Sequence, residues 1–403
     1  MKYVGVDIGK FEHAVGIIDG NGKPFDKPFM ITQDANGFKM LEERLEAWGG
    51  SQNLQVAMEA TGQYWKLLSD RLISLDYQVG VINPLITAHE ASADVRGRKT
   101  DKLDALAIAR VAWSRNYNGT VKEEPQLEEL RVLSRHRSGL VQQRSSVKLE
   151  YASLLDTLFA EAHTLFGDLY CKSALALFER FPSARLIATA NTKTLLSILK
   201  KASNNCYNIE FVKKLRTLAK KSISVKHINT GSEFVLVQLI EQLHSVDAQV
   251  VDVERRIKAY ELPEVGKLLI QIKGAGDILP YLIAAEIGNL SKFEASNMNA
   301  KVLAYAGAEP RVRESGRWKG KTKMSKRGNG DLRHNLYNLA TSIKLHTPYF
   351  KQVYDKQVLK GKCHSVAMSH VVRKIIDIMV GMHGNGTKYE PSVQEGDSGH
   401  EFL

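Results

Sequence analysis

The stretch Tyr3-Val4-Gly5-Val6-Asp7-Ile8-Gly9-Lys10 decides how the N-terminal third is read. A short apolar run ends on an acidic residue, so Asp7 is presented at the end of a strand. Residues 14–18 repeat the apolar pattern and are closed by Asp19-Gly20-Asn21-Gly22, a strong hairpin signal. Residues 25–31 supply a third strand. Residues 37–48 then carry helical spacing, with Phe38, Leu41, Leu45 and Trp48 on one face. A strand over 54–58 has Glu59 at its end. A helix over 64–75 and a strand over 77–82 follow, stopped by Asn83-Pro84. After the basic stretch Arg96-Gly97-Arg98-Lys99-Thr100, a helix runs from Asp101 to about 114. A hairpin followed by alternating helix and strand predicts an α/β domain with a mixed sheet.

Beyond a polar boundary at 116–125, with Gly119 and Pro125, the chain reads as nearly all helix. Leu133, Leu140, Val147 and Leu154 recur every seven residues. A cleaner heptad runs through Leu236, Leu239, Leu243, Val246, Val250, Val253 and Ile257. Such a seam fits a coiled coil or an amphipathic helix on the chain's own core, and the pattern alone does not choose. The helical segment 152–224, broken at Phe181-Pro182 and Asn204-Asn205, carries no recognisable chemistry. Lys273-Gly274-Ala275-Gly276 joins two helices in a helix–hairpin–helix pattern, whose turn amides can hold a phosphate. Residues 384–403 are Gly-rich and polar, and predict a disordered tail.

The 403 residues are 43% hydrophobic and 25% charged, which excludes a chain disordered throughout. The formal charge of +12 points to a polyanionic partner without naming it. Cys171, Cys206 and Cys363 form no C-x-x-C pair, which argues against a disulfide framework or a structural zinc and predicts a cytoplasmic setting. No apolar stretch is long enough for a membrane span, so membrane partners are not expected.

Two constellations carry candidate chemistry. Asp7 and Glu59 end strands, and Asp101 and Asp104 share a helix face at i, i+3. Carboxylates so arranged can hold two Mg²⁺ ions for phosphodiester chemistry. Each taken alone also fits a turn or a helix start, and the Asp-x-Gly start occurs in actin-like sugar kinases as well. The second constellation is the basic segment with Arg311, Arg313, Arg317, Lys319, Lys321, Lys323, Lys326 and Arg327 around Glu314-Ser315-Gly316. Ser315 is a candidate nucleophile whose phosphate the arginines would hold. On the residues alone, Ser315-Gly316 reads more readily as a turn pair on a nucleic-acid-binding loop. Ser325 is a rival that reads more like a turn or a helix cap.

Taken in order, these pieces resemble a known family. Gly5-Val6-Asp7-Ile8-Gly9-Lys10, Met58-Glu59-Ala60-Thr61-Gly62, Val81-Ile82-Asn83-Pro84 and Lys99-Thr100-Asp101-Lys102-Leu103-Asp104-Ala105 are followed by Ile272-Lys273-Gly274-Ala275-Gly276. Ala304-Tyr305-Ala306-Gly307-Ala308-Glu309-Pro310, Glu314-Ser315-Gly316 and Met324-Ser325-Lys326-Arg327-Gly328 complete the set. The chain is similar to the DEDD-type insertion-sequence transposases, the bridge-RNA-guided serine recombinases related to Piv-type DNA invertases. Ala308-Glu309 and Lys273-Gly274 depart from the usual pattern, away from the proposed catalytic positions.

The resemblance implies an RNase H-like (RuvC-like) domain over 1–118 whose DEDD set is Asp7, Glu59, Asp101 and Asp104, with Mg²⁺ as cofactor. It implies a helical coiled-coil assembly region over 126–262 that builds homodimers and tetramers. A mainly helical transposase domain over 263–383 would carry Ser315 as nucleophile. DNA and a structured guide RNA are the implied partners. Arg96, Arg98, Lys99, Lys273, Gly274, Gly276 and the basic residues around Ser315 are the candidate nucleic-acid contacts. Two other readings remain at this point: a RuvC-like metal-dependent Holliday-junction nuclease, and a non-catalytic nucleic-acid-binding protein. An invertase of the same family is a variant of the first reading.

Overall fold

The computed structural model describes residues 1–60, 62–82, 87, 100–115, 125–224, 229–293, 296–311, 314–315, 318–319 and 323–390. Arg96, Arg98, Lys99, Arg313, Arg317, Lys321 and the 391–403 part of the expected tail lie outside them. The chain packs as two units, Met1–Lys122 and Glu123–Leu403.

The first unit is built on a five-stranded sheet of order β3-β2-β1-β4-β5. Its strands are β1 (Lys2–Ile8), β2 (Glu12–Ile18), β3 (Phe29–Thr32), β4 (Leu54–Glu59) and β5 (Gln78–Ile82). The first three pair antiparallel, and β1, β4 and β5 pair parallel, so the sheet is mixed as the sequence predicts. The third strand begins only at Phe29, later than its apolar pattern suggests. Alternation along β1 sends Val4, Val6 and Ile8 to one face, where they meet Leu41, Leu45 and Trp48 of α1 (Ala35–Trp48) and Leu68 and Leu72 of α2 (Trp65–Ser74). The other face takes α3 (Asp101–Ser114), through Ile108, Val111 and Ala112 against Ala57 and Ile82. Thr100 caps that helix, its hydroxyl accepting from the Leu103 amide at 3.3 Å.

The second unit is mostly helical. Its frame is the antiparallel pair α4 (Pro125–Leu158) and α9 (Thr230–Lys258), tied across by Arg137–Glu254 and Arg144–Asp247 pairs. Between them in sequence lie α5 (Lys172–Arg180), α6 (Ala184–Thr189), α7 (Thr192–Ala202) and α8 (Ile209–Lys221). These four close a core with Tyr151, Leu155 and Phe159 on one side and Leu236, Ile240 and Leu243 on the other. Every residue of the Leu236–Ile257 heptad seam is buried inside this one chain. Its upper half faces the small helices, and its lower half faces Leu130 and Leu140 of α4.

The C-terminal part comprises α10 (Glu264–Leu269), α11 (Leu279–Ile287), α12 (Met298–Tyr305), α13 (Gly330–His346), α14 (Pro348–Leu359) and α15 (His364–Asn385) around one apolar core. The basic segment, for which the sequence suggests only a loop, folds as short paired strands: β6 (Pro310–Arg311) with β9 (Lys323–Met324), and β7 (Glu314–Ser315) with β8 (Trp318–Lys319). The expected tail is shorter than its composition suggests. Helix α15 runs through Asn385, and the Tyr389 amide donates to Gln271 Oε1 at 3.1 Å. Among the described residues no helix is long and apolar enough to cross a membrane.

Candidate active site

The position of α3 on the sheet is decided by two glycines. A Cβ on Gly5 would lie 2.0 Å from Ala105 O and 2.4 Å from Ala109 N, and one on Gly16 would lie 3.0 Å from the Leu106 side chain. Gly5 and Gly16 are register partners on β1 and β2. With no side chains between them, the helix backbone rests directly on the strands. At the helix's other end, Trp113 Nε1 donates to Gly20 O at 3.0 Å, just past the end of β2. Helix α3 therefore runs opposite to β1, with its first turn at the C-terminal end of that strand.

That direction brings the four carboxylates to one end of one face. Asp7 lies two residues beyond Gly5, on the same side of the sheet. The parallel register pairs Gly5 with Ala57 and Val6 with Met58, so Glu59 follows beside Asp7. Asp101 and Asp104 precede Ala105 by four residues and one, and continue the sheet-facing stripe of α3 beyond its apolar part. Asp101 is exposed, whereas Asp7, Glu59 and Asp104 are half-buried. Glu59 Oε2 accepts from Thr87 Oγ1 at 2.6 Å. The N-terminus of α3 lies under both aspartates, and its dipole offsets part of their mutual repulsion.

The donor set is all oxygen, as a hard divalent cation requires. By the chemistry of their donors these residues suit such an ion. Among the described residues, no three Asp, Glu, His or Cys groups converge closely enough to hold one. The structure thus places the four on a common rim without drawing them into a ligand shell.

Beneath that rim is a residue the sequence reading passes over. His13 is fully buried, on the opposite face from Asp7. Its Nδ1 accepts from the Gly9 amide at 3.2 Å, and its Nε2 meets Gln33 Oε1. Gln33 Nε2 in turn donates to Tyr64 O at 3.2 Å. Burial pushes the His13 pKa down, outweighing the Gln33 contact. With Nδ1 accepting, the neutral ring's proton is on Nε2. The chain of contacts ties the β1–β2 turn, just past Asp7, to the segment after Glu59. A lone histidine in an alternating strand gives no sign of this in the sequence.

The second constellation lies in the hairpin of the other unit. Ser315 pairs with Trp318 and so flanks the tip. Arg311, Lys319 and Lys323 occupy strand positions of the same hairpin. Its stem closes where the Ser325 amide donates to Glu309 O at 2.8 Å and the Lys326 amide to Gly307 O at 3.0 Å. Lys326 takes a left-handed φ of 54°, and Gly307 and Gly328 approach so closely that a Cβ on Gly328 would lie 2.4 Å from Gly307 N. Ser325 is therefore a stem residue, its Oγ accepting from the Arg327 amide. The cap of α13 is Asn329, whose Oδ1 accepts from the Leu332 amide.

Under the stem lies a fully buried carboxylate that sequence reasoning misses. Glu286 accepts Arg135 Nε and Nη2, both at 2.9 Å, and Asn329 Nδ2 at 2.6 Å. The Glu286 contact holds the Arg135 pKa above its ordinary value. Arg333 Nη1 adds a bond to Ala306 O at 2.9 Å.

The Lys273–Gly276 turn is built as the sequence suggests, between α10 and α11. Gly274 and Gly276 take φ of 95° and 69°. Ser342 Oγ donates to Gly274 O at 2.6 Å and Thr347 Oγ1 to Lys273 O at 2.9 Å, so α13 and the residue that follows it hold the turn. Lys273 and Gly276 are exposed.

Comparison with known proteins finds two family matches, the first of which runs across both units. Residues 4–160 match the DEDD transposase family model of the IS110 elements. Residues 266–355 match the transposase model of the IS116/IS110/IS902 family. The insertion element IS116 44.8 kDa protein of Streptomyces clavuligerus is 22% identical over 393 residues, covering 97% of this chain and 96% of its own. The pilin gene-inverting protein of Moraxella bovis is 25% identical over 399 residues, covering 98% and 99%. The transposase for insertion sequence element IS1111A of Coxiella burnetii is 23% identical over 282 residues, covering 70% and 64%.

Proposed function

We propose that this chain, which carries the transposase domains of the IS110/IS116/IS902 insertion elements, recombines DNA through a serine nucleophile assisted by its carboxylate rim. The observation that carries the reading is the gathering of Asp7, Glu59, Asp101 and Asp104 at one end of one sheet face, within the segment matched to DEDD transposases. These four residues would hold Mg²⁺, which when bound neutralises the charge that develops on a phosphodiester in reaction. The domain carrying them, 1–118, is read as RNase H-like. Residues 126–262 serve assembly into homodimers and tetramers, and 263–383 carry the nucleophile.

Ser315 Oγ attacks the scissile phosphorus. The new bond is a phosphoserine ester, and the bond that breaks releases a 3′-hydroxyl. Arg311, Arg313, Arg317, Lys319, Lys321, Lys323, Lys326 and Arg327 would hold the phosphate and its neighbours. Arg96, Arg98 and Lys99, which precede Asp101 in sequence, and the Lys273, Gly274 and Gly276 turn would add further backbone contacts. Sequence choice would be delegated to pairing with an RNA encoded by the element.

The test is to mix the protein with donor and target DNA, the flanking transcript and Mg²⁺, and resolve products on a denaturing gel. Wild type should yield a protein–DNA adduct, and Ser315→Ala none. Full recombination by Ser315→Ala would remove the serine from the mechanism. Cleavage without any adduct would support instead a metal-dependent nuclease using water. The Moraxella relative favours a second outcome of the same chemistry, site-specific inversion. Circular or integrated element DNA separates transposition from inversion.

A further inference from the structure

The four small helices α5 to α8 carry a concentration of charge that no proposed active-site residue uses. Between positions 172 and 221 there are eleven Lys and Arg residues and two acidic ones, Glu179 and Glu210, which is nine of the chain's twelve net positive charges. Two of the cations have structural work: Arg185 pairs with Glu233, and Arg216 binds Thr192 Oγ1 and Ala188 O. Lys213 pairs with Glu210 at 2.8 Å. Lys193, Lys200, Lys201, Lys214, Lys220 and Lys221 are all exposed, and among the described residues none has an ion-pair partner.

Their placement follows from the apolar stripes. Helix α7 buries Leu195 and Leu199, and α8 buries Val212, Leu215 and Ala219, in the same core. The lysines occupy the outward sides. Lys193 and Lys200 are seven residues apart, as are Lys214 and Lys221, so each pair stacks along its helix about 10 Å apart. A solvated surface normally mixes both signs, as α9 does with Glu241, Asp247 and Asp252 against Arg255, Arg256 and Lys258. A single-sign surface repels itself, and a polyanion relieves that repulsion. The partner's form is narrowed by the aromatics. Phe178, Phe181, Tyr207 and Phe211 are buried or half-buried, with Tyr207 and Phe211 packed on each other at 4.6 Å. Nothing there offers the exposed stacking platform that single strands use.

We propose that the outer face of α7 and α8 is a backbone-binding surface for duplex DNA, gripping the substrate away from the reacting phosphates without reading its sequence. This rests on the proposed function only for the choice of DNA as the duplex. Binding of a mixed-sequence DNA duplex by the full chain, followed by anisotropy across a salt series, tests it. The variant Lys193→Gln/Lys200→Gln/Lys214→Gln/Lys221→Gln should flatten the slope of log affinity against log salt by about 0.9 for each phosphate no longer neutralised, about 3 to 4 in all. The control Lys23→Gln/Lys27→Gln/Lys39→Gln/Lys356→Gln removes the same charge elsewhere and should change the slope by less than about 1. An unchanged slope in the first variant, equal weakening in both, or an effect confined to duplex RNA of the same length overturns the inference. Ser315→Ala should bind with the wild-type slope, so a failed recombination assay leaves this result standing. A chain that binds no DNA sinks both readings.

Discussion

Gly5→Ala is the most direct test of how the carboxylates are brought together. The new Cβ would lie 2.0 Å from Ala105 O and 2.4 Å from Ala109 N, both backbone atoms of α3. Neither can turn aside as a flexible side chain would. Ordinary carbon–oxygen contact needs more than about 3 Å, so the helix must lift by about 1 Å at this point. The interface above Gly5 includes Leu106, Ile108 and Val111, which are all buried. Burying each of these is worth about 1.5–3 kcal/mol. A gap of about 0.5–1 Å forfeits roughly a quarter to a half of the contact energy. The destabilisation is then about 1–4 kcal/mol, in line with the usual penalty of overpacking. In a unit of this size the melting temperature should fall by about 10 °C for the middle of that range. Because Asp101 and Asp104 ride on the lifted turn, strand cleavage should drop about 100-fold, the usual consequence of a displacement of about 1 Å. Calorimetry of the full chain and an adduct-formation time course read the two effects. Gly139→Ala is the control. It sits exposed within α4 with nothing within 4 Å, and should stabilise by about 0.5–1 kcal/mol. If Gly5→Ala melts within about 2 °C of wild type, the helix does not rest on that strand and does not hold Asp101 and Asp104 beside Asp7 and Glu59.

His13 makes stability pH-dependent. Its folded pKa is depressed by burial, so as pH falls below about 6.5 the unfolded chain takes up a proton that the native ring refuses. Urea midpoints should therefore fall between about pH 7.5 and 5, and His13→Asn should show a shallower decline; parallel curves would exclude the contribution. Glu286→Gln breaks a buried ion pair whose arginine is 48% exposed on its side chain, so the full penalty for a buried pair is discounted to about 2 kcal/mol. It should also slow adduct formation, because Asn329 is deprived of its carboxylate partner beneath the Ser315 hairpin; unchanged stability would show that the pair contributes nothing. Asp104→Asn should weaken Mg²⁺ binding in calorimetric titration by about tenfold or more with the fold intact by circular dichroism. Equal metal affinity would remove Asp104 from the ligand set.

The features legible in the sequence are those whose cause is local. Alternation around Val4, Val6 and Ile8 shows β1, and Thr100 before Asp101 marks where α3 begins. Both follow from the geometry of a few neighbouring residues. What fixes the site is not local. Gly5 and Gly16 look like ordinary strand glycines until α3 lies over them. The heptad at Leu236 to Ile257 announces a buried stripe but not its partner, which proves to be the same chain's α4 and small helices. The strands of the Ser315 hairpin are two residues each, too short to show a period.

The clearest case is Glu286. It stands in the apolar run Leu282-Ile283-Ala284-Ala285-Glu286-Ile287, where an acid with no visible partner looks misplaced. Its partners come from Arg135, far back on α4, and from Asn329, just past the hairpin. A buried ion pair of this kind adds little stability over apolar packing, because desolvation consumes most of the attraction. Its directional bonds instead select one arrangement of the groups that share it. Asn329 is at once a ligand of that carboxylate and the cap of α13. The stem of the hairpin therefore takes its bearing from the long helix α4, and the few backbone bonds of its own short strands need only carry that bearing outward to Ser315.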